Sequence, residues 1–164
     1  AQLYGFEVEE ISAQEIDDVK VSSTKVRELI VSGDFVKANS YLTEPYSFKG
    51  IVVKGDEIGR TIGYPTANLK VDADKILPEN GVYAVNVILD GESYRGMMNI
   101  GFRPTVSVLE ERRVEINIFD FNQDIYGRQL KVELIKKIRS EKKFDNLDAL
   151  KEQINMDRLL IINL

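Results

Sequence analysis

The segment richest in potential chemistry reads Gly55-Asp56-Glu57-Ile58-Gly59-Arg60-Thr61-Ile62-Gly63-Tyr64-Pro65-Thr66-Ala67-Asn68. Gly55, Gly59 and Gly63 allow the backbone to approach a ligand closely, and bare amide groups in such a loop can bind phosphate oxygens. The Gly-Lys-Ser/Thr ending of a Walker loop is missing, so glycine spacing alone also fits a flexible surface loop. Thr66 and Asn68 place a hydroxyl and an amide oxygen on alternate residues, which point the same way if the chain is extended there. Such oxygens suit magnesium, or they stabilise the turn after Pro65. Arg60 carries a fork that matches phosphate, or is a solvated loop arginine. A second concentration lies in Arg113–Phe121. Alternation there puts Val114, Ile116 and Ile118 on one face and Glu115, Asn117, Phe119 and Phe121 on the other.

These residues need elements to hold them. A helix is expected to start near Ser23 or Thr24 behind a Ser/Thr cap, with Val26, Leu29 and Ile30 on one face and Gly33 at its end. Asp34 can cap a second short helix through Leu42, and Pro45 breaks the pattern. Beyond Pro45 the period changes from helix to strand. Phe48–Lys54 reads as a strand, residues 55–68 as a loop, and Val82–Leu89 with Glu92–Ile100 as a hairpin around Asp90-Gly91. A second hairpin is expected to join Arg113–Phe121 to Gln129–Ile138 across residues 122–127. Asp145 or Asn146 then caps a last helix with Leu147, Leu150 and Ile154 on one face. The expected fold is mainly β: an antiparallel barrel with a C-terminal helix, preceded by a short helical segment. The polar face carrying Glu115 is expected inside that barrel, where a carboxylate needs a task or a paired arginine. No βαβ alternation is visible, which argues against a parallel nucleotide-binding sheet.

Four stretches in order carry a resemblance. They are the glycine string Gly-Asp-x-x-Gly-Arg-x-x-Gly-x-Pro-Thr-Ala-Asn; Asn99-Ile100-Gly101-Phe102-Arg103-Pro104-Thr105; Val114 to Phe121 running on to Asp124-Ile125-Tyr126-Gly127; and Ile138-Arg139-Ser140-Glu141-Lys142-Lys143-Phe144-Asp145. Together they resemble the riboflavin kinase family over residues 46 to about 157. The resemblance implies a six-stranded Greek-key barrel that transfers the γ-phosphate of ATP to the 5′-hydroxyl of riboflavin, giving FMN. It assigns Glu115 as catalytic base and places Mg2+ at Thr66 and Asn68. It puts Gly55, Gly59, Arg60, Gly63, Pro65, Thr66, Asn68 and Tyr126 on the ATP side, and Arg139 and Phe144 on the flavin side. Two positions depart from the family's pattern: Asn117 stands where histidine is common, and Val106 where an aromatic is frequent.

An earlier segment, Val21-Ser22-Ser23-Thr24-Lys25-Val26-Arg27, is similar to the closing motif of FMN adenylyltransferase domains, which precede the kinase in bacterial FAD-making enzymes. The resemblance implies that residues 1–44 are the tail of such a domain, whose catalytic half is missing, and that 45–164 are the kinase. By residues alone, 1–44 are two capped helices.

Composition narrows the chemistry. The 164 residues include no histidine and no cysteine, so imidazole catalysis, disulfides and thiolate metal sites are excluded. Any proton acceptor must be a carboxylate, Lys or Tyr. Residues 1–44 hold nine acids and four bases, and the other 120 hold 18 of each. The barrel segment therefore lacks the basic excess that a nucleic-acid-binding small barrel usually carries; that barrel is the alternative reading, with no nucleic acid expected as partner. A flavin or nucleotide carrier without catalysis is a third reading, against which Glu115, Thr66 and Asn68 speak. No apolar run approaches a membrane span, and a cytoplasmic protein, entered partway along a longer chain, is the expectation.

Overall fold

The computed structural model describes residues 15, 16, 19, 20, 22–55, 58–102 and 112–164. Asp56, Glu57, Arg103, Pro104, Thr105, Val106 and Val21 of the motifs above lie outside the described residues. A two-stranded ribbon, β1 (Glu15–Ile16) and β2 (Val19–Lys20), leads into α1 (Ser23–Ser32). Ser22 caps α1 by accepting from the Lys25 amide at 3.2 Å, and Gly33 closes it with φ at 79°. Asp34 caps α2 (Phe35–Ser40) in the same way.

Six strands then form a closed barrel: β3 (Ser47–Val53), β4 (Ala67–Val71), β5 (Gly81–Leu89), β6 (Glu92–Phe102), β7 (Arg112–Ile118) and β8 (Gln129–Arg139). A single turn, α3 (Ile58–Thr61), precedes β4, and α4 (Leu147–Ile162) ends the chain behind an Asn146 cap. Around the barrel the order is β3-β4-β7-β6-β5-β8, antiparallel throughout, which is a Greek-key arrangement. The expected β5–β6 hairpin is present, with Asp90 and Gly91 both at positive φ as a two-residue turn requires.

Two expectations about local structure need correction. β7 and β8 do not form a hairpin: β7 pairs with β4 and β6, and β8 with β3 and β5. The intervening chain instead crosses the barrel end. Phe119 still bonds to Arg95 of the β6 side, Asp120 turns at φ 53°, Ile125 plugs the core, and Gly127 and Arg128 bond to Val52 of β3. Residues 55–68 are not a continuous loop, since α3 lies within them and Ala67 already begins β4.

The barrel interior is apolar. Val52, Leu69, Val85, Met98, Ile100, Val114, Ile116, Leu130 and Val132 fill it, and α1 and α2 add Leu29, Ile30, Phe35 and Ala38 to the same core. Phe35 meets Tyr83 edge-on at 5.8 Å, and Asn39 bonds both the Leu134 carbonyl and the Tyr46 amide. Burial, reinforced by the Glu79 carboxylate, pushes the Tyr83 phenol up to about 12.

A second, smaller core lies outside the barrel. Val82, Ala84, Met97 and Phe119 form a patch that Ile154 and Ile161 of α4 cover. Leu147 is 56% exposed, so the buried face of α4 does not begin there; its fully buried residues are Asp157 and Ile161. Asp157 accepts from Arg139 Nε and Gln153 Nε2, both at 2.9 Å, which ties the helix to the end of β8. Among the described residues no helix is long and apolar enough to cross a membrane.

Candidate active site

Strand register builds the site. On β7, Val114, Ile116 and Ile118 point into the barrel core, so Glu115 and Asn117 point outward. The expectation that Glu115 faces the barrel interior is therefore wrong. The aliphatic face is the inward one, and the polar outer face is walled by α4 and the 141–144 segment, which share a cleft with it.

Glu115 lies opposite Asn68 of β4 on one side and opposite Asn99 of β6 on the other. Further round, Asn99 lies opposite Val82 of β5, which pairs with Arg139 of β8. One row across five strands thus carries Asn68, Glu115, Asn99, Val82 and Arg139. Opposite side chains in such a row sit roughly 5 Å apart. Glu115 also meets Arg113 at 3.5 Å along its own strand.

This row floors a cleft of about 330 Å³. Its remaining walls come from α4 through Leu150, Ile154 and Asp157, from the 141–144 segment through Glu141, Lys142 and Phe144, and from the glycine string through Gly59, Ile62, Tyr64 and Thr66. Arg139 lies 5.7 Å from the Phe144 ring centre while its Nε stays on Asp157. Tyr64 donates from its hydroxyl to Asn155, joining the glycine string to α4.

A second cleft of about 460 Å³ opens beside the first, lined by Arg60, Pro65, Thr66, Phe121, Asp124 and Tyr126 among others. Thr66 lines both clefts. The hydroxyl of Thr66 and the amides of Asn68 and Asn99 make no side-chain hydrogen bond to another described residue, which leaves three polar groups facing the clefts. Asn117 donates from Nδ2 to the Pro65 carbonyl at 2.7 Å, while its buried Oδ1 has no partner among the described residues.

The residues expected from sequence therefore divide between two adjoining clefts. Gly59, Thr66, Asn68, Glu115, Arg139 and Phe144 line the first; Arg60, Pro65, Thr66 and Tyr126 line the second. Gly55 and Gly63 line neither. A side chain at Gly55 would collide with the Asn68 amide, its atoms lying 2.0–2.8 Å from the added carbon, so Gly55 gives Asn68 its place. Gly63 turns the chain at φ 87°. Sequence reading missed Asn99, Arg113, Tyr64 and Asp157. Asn99 opened one of the motifs, but only the register sets it beside Glu115.

Over residues 42–163 the chain matches the Flavokinase family, riboflavin kinase. The chain belongs to the riboflavin kinase family. It is 46% identical to the bifunctional riboflavin kinase/FMN adenylyltransferase of Bacillus subtilis over 153 residues, which is 92% of this chain and 48% of that protein. The chain spans about half the length of the curated relatives it matches. Two solved structures share the fold of this riboflavin kinase family member. One, described as a macrolide-efflux protein from Streptococcus pneumoniae, has TM-score 0.88 and 41% identity over 94% of this chain and 50% of that one. The other, riboflavin kinase from Trypanosoma brucei, has TM-score 0.51 and 28% identity over 73% of this chain and 78% of that one.

The donor set suits a hard cation carried with a nucleotide. Thr66, at the junction of the clefts, and Asn68, in the first, carry neutral oxygens, and no group of three acidic, His or Cys ligands exists among the described residues. Magnesium binds in this manner when phosphates and waters complete its shell.

Proposed function

We propose that the chain transfers the γ-phosphate of Mg2+-ATP to the terminal ribityl hydroxyl of riboflavin, releasing FMN and ADP. The observation that carries the reading is the position of Thr66, whose side chain borders both clefts two residues before the Cα partner of Glu115. A phosphoryl donor in one cleft and an alcohol in the other would meet there.

In this reading the second cleft takes ATP. Arg60 holds phosphate oxygens, Tyr126 packs near the base, and the backbone from Gly55 to Pro65 shapes the approach. The first cleft takes riboflavin, with the isoalloxazine ring against Phe144, Leu150 and Ile154 and polar flavin atoms near Arg139. Glu115 accepts the proton of the terminal hydroxyl as that oxygen attacks the γ-phosphorus; the bond from phosphorus to the bridging oxygen breaks, and ADP leaves with the electron pair. Thr66 and Asn68 would hold Mg2+, which supplies neutralisation of phosphate charge. Arg113, 3.5 Å from Glu115 along the strand, steadies the carboxylate where it can accept.

The same comparisons support reading residues 1–44 as the tail of an adenylyltransferase half and 45–164 as the kinase, the full-length protein converting riboflavin to FMN and FMN to FAD. The described chain alone then makes FMN and not FAD. Incubating it with riboflavin and Mg2+-ATP and separating the flavins tests this: FMN alone is expected. No FMN would sink the kinase reading, and FAD from the pure chain would sink the domain division.

A further inference from the structure

The row that holds Glu115 contains a residue with no task in the mechanism above. Asn99 is the Cα partner of Glu115 on β6, as Asn68 is on β4. Met98 and Ile100 point into the barrel, so Asn99 points out into the first cleft, where it is part-exposed. Its amide makes no hydrogen bond to another described residue. Gly101 nearby makes room for Glu141: a Cβ there would lie 2.0 Å from a Glu141 oxygen, and 3.4 Å from Asn99 Nδ2. A half-buried amide on a strand face is costly to leave unpaired, and no described residue takes a hydrogen bond from it or gives one to it.

An amide offers one acceptor and two donors, which matches a hydroxyl that must both give and take a hydrogen bond. The apolar and aromatic walls of the cleft, Phe144, Leu150 and Ile154, lie on the α4 side and suit a flat ring. Asn99 lies on the strand side, level with Glu115. Opposite side chains on neighbouring strands stand roughly 5 Å apart, a distance that places Asn99 beside a hydroxyl a carbon or two along the chain from the one at Glu115.

We propose that Asn99 reads the polyol chain of the acceptor: it hydrogen-bonds a secondary ribityl hydroxyl and thereby sets the terminal hydroxyl against Glu115. Asn99 is a specificity-determining residue for a flavin bearing a hydroxylated side chain. The assignment rests on the kinase reading above.

The test compares riboflavin with a hydroxyalkyl flavin that keeps the ring and the terminal hydroxyl but lacks the secondary hydroxyls. Wild type, Asn99→Ala and Asn99→Ser are assayed for kcat/KM on both flavins, with melting curves recorded on the same samples. Wild type is expected to prefer riboflavin. Asn99→Ala is expected to lose roughly ten-fold on riboflavin and to change little on the hydroxyalkyl flavin, so that the preference collapses. If the alanine variant does not fold, the serine variant decides by the same ratio. A preference retained in the folded variant, whether both rates fall together or neither does, overturns the assignment; so does a wild type that does not discriminate. A wild type that phosphorylates neither flavin sinks the kinase reading itself, a different result from any of these.

Discussion

Asn117 of β7 holds the Pro65 carbonyl through its amide nitrogen at 2.7 Å. Its neighbour on the same outward face is Glu115, and Pro65 directly precedes Thr66, so this one bond joins the proposed base strand to the residue shared by both clefts. The bond is needed because the β4–β7 ladder begins only at Ala67, opposite Ile116, leaving Pro65 and Thr66 without ladder bonds to β7.

Asn117→Leu tests that tie. The substitution removes the donor to Pro65 and also the unpaired buried Oδ1, so the two effects on folding oppose each other and the melting temperature should move little. Loosening of the 59–66 segment should raise KM for ATP more than KM for riboflavin and cut kcat by roughly ten-fold, as misplacement near reacting groups does. Equal changes in the two KM values would show that Asn117 does not act through Pro65.

Gly55 makes a related prediction from outside both clefts. Gly55→Ala forces the Asn68 amide out of its position, because the new carbon would overlap it. The expected result is a higher magnesium requirement with the barrel intact by circular dichroism, and Thr66→Ala should behave the same way. Unchanged magnesium dependence in both variants would return Thr66 and Asn68 to a turn-stabilising role.

The helix that walls the first cleft depends on a buried charge. Asp157 is 1% exposed and pairs with Arg139. Asp157→Asn leaves the guanidinium without its countercharge in a part-buried site, and breaking such a pair costs about 3–5 kcal/mol. Urea unfolding should show a loss toward the lower end of that range, since Arg139 keeps some solvent contact and Asn can still accept one hydrogen bond. A loss below about 1 kcal/mol would mean that the apolar patch beneath α4 holds it alone.

How much of this was legible before the fold was known follows from which interactions are local. The Asp90-Gly91 hairpin, the Gly33 stop and the Asn146 cap are set by residues next to one another, and each appears where the sequence puts it. The β7–β8 connection looked like a hairpin because residues 122–127 carry turn chemistry, but strand partnership is decided by distant chain: Ile125 finds the core, and Val52 takes the bonds of Gly127 and Arg128. Strand β4 was hidden within the glycine string, since Ala-Asn-Leu-Lys-Val carries a weak alternation. The side of β7 that faces inward was not legible either. Its outer face carries Arg113, Glu115 and Asn117, and only α4 and the 141–144 segment, added after all six strands, enclose that polar face in a cleft outside the barrel. Motif residues were legible by type, while their grouping into two clefts awaited the register.

The central claim is that Glu115 accepts the hydroxyl proton. Glu115→Gln keeps shape and volume, so the fold should persist, and the partly exposed contact with Arg113 contributes at most about 1 kcal/mol. Loss of a general base costs roughly 10²–10⁴ in rate. The decisive measurement is kcat together with ATP affinity and melting temperature on one preparation of Glu115→Gln. The account predicts kcat reduced by at least about a hundred-fold, with ATP affinity and melting temperature close to wild type. A lower melting temperature with a normally active folded fraction would contradict it and make Glu115 the structural partner of Arg113.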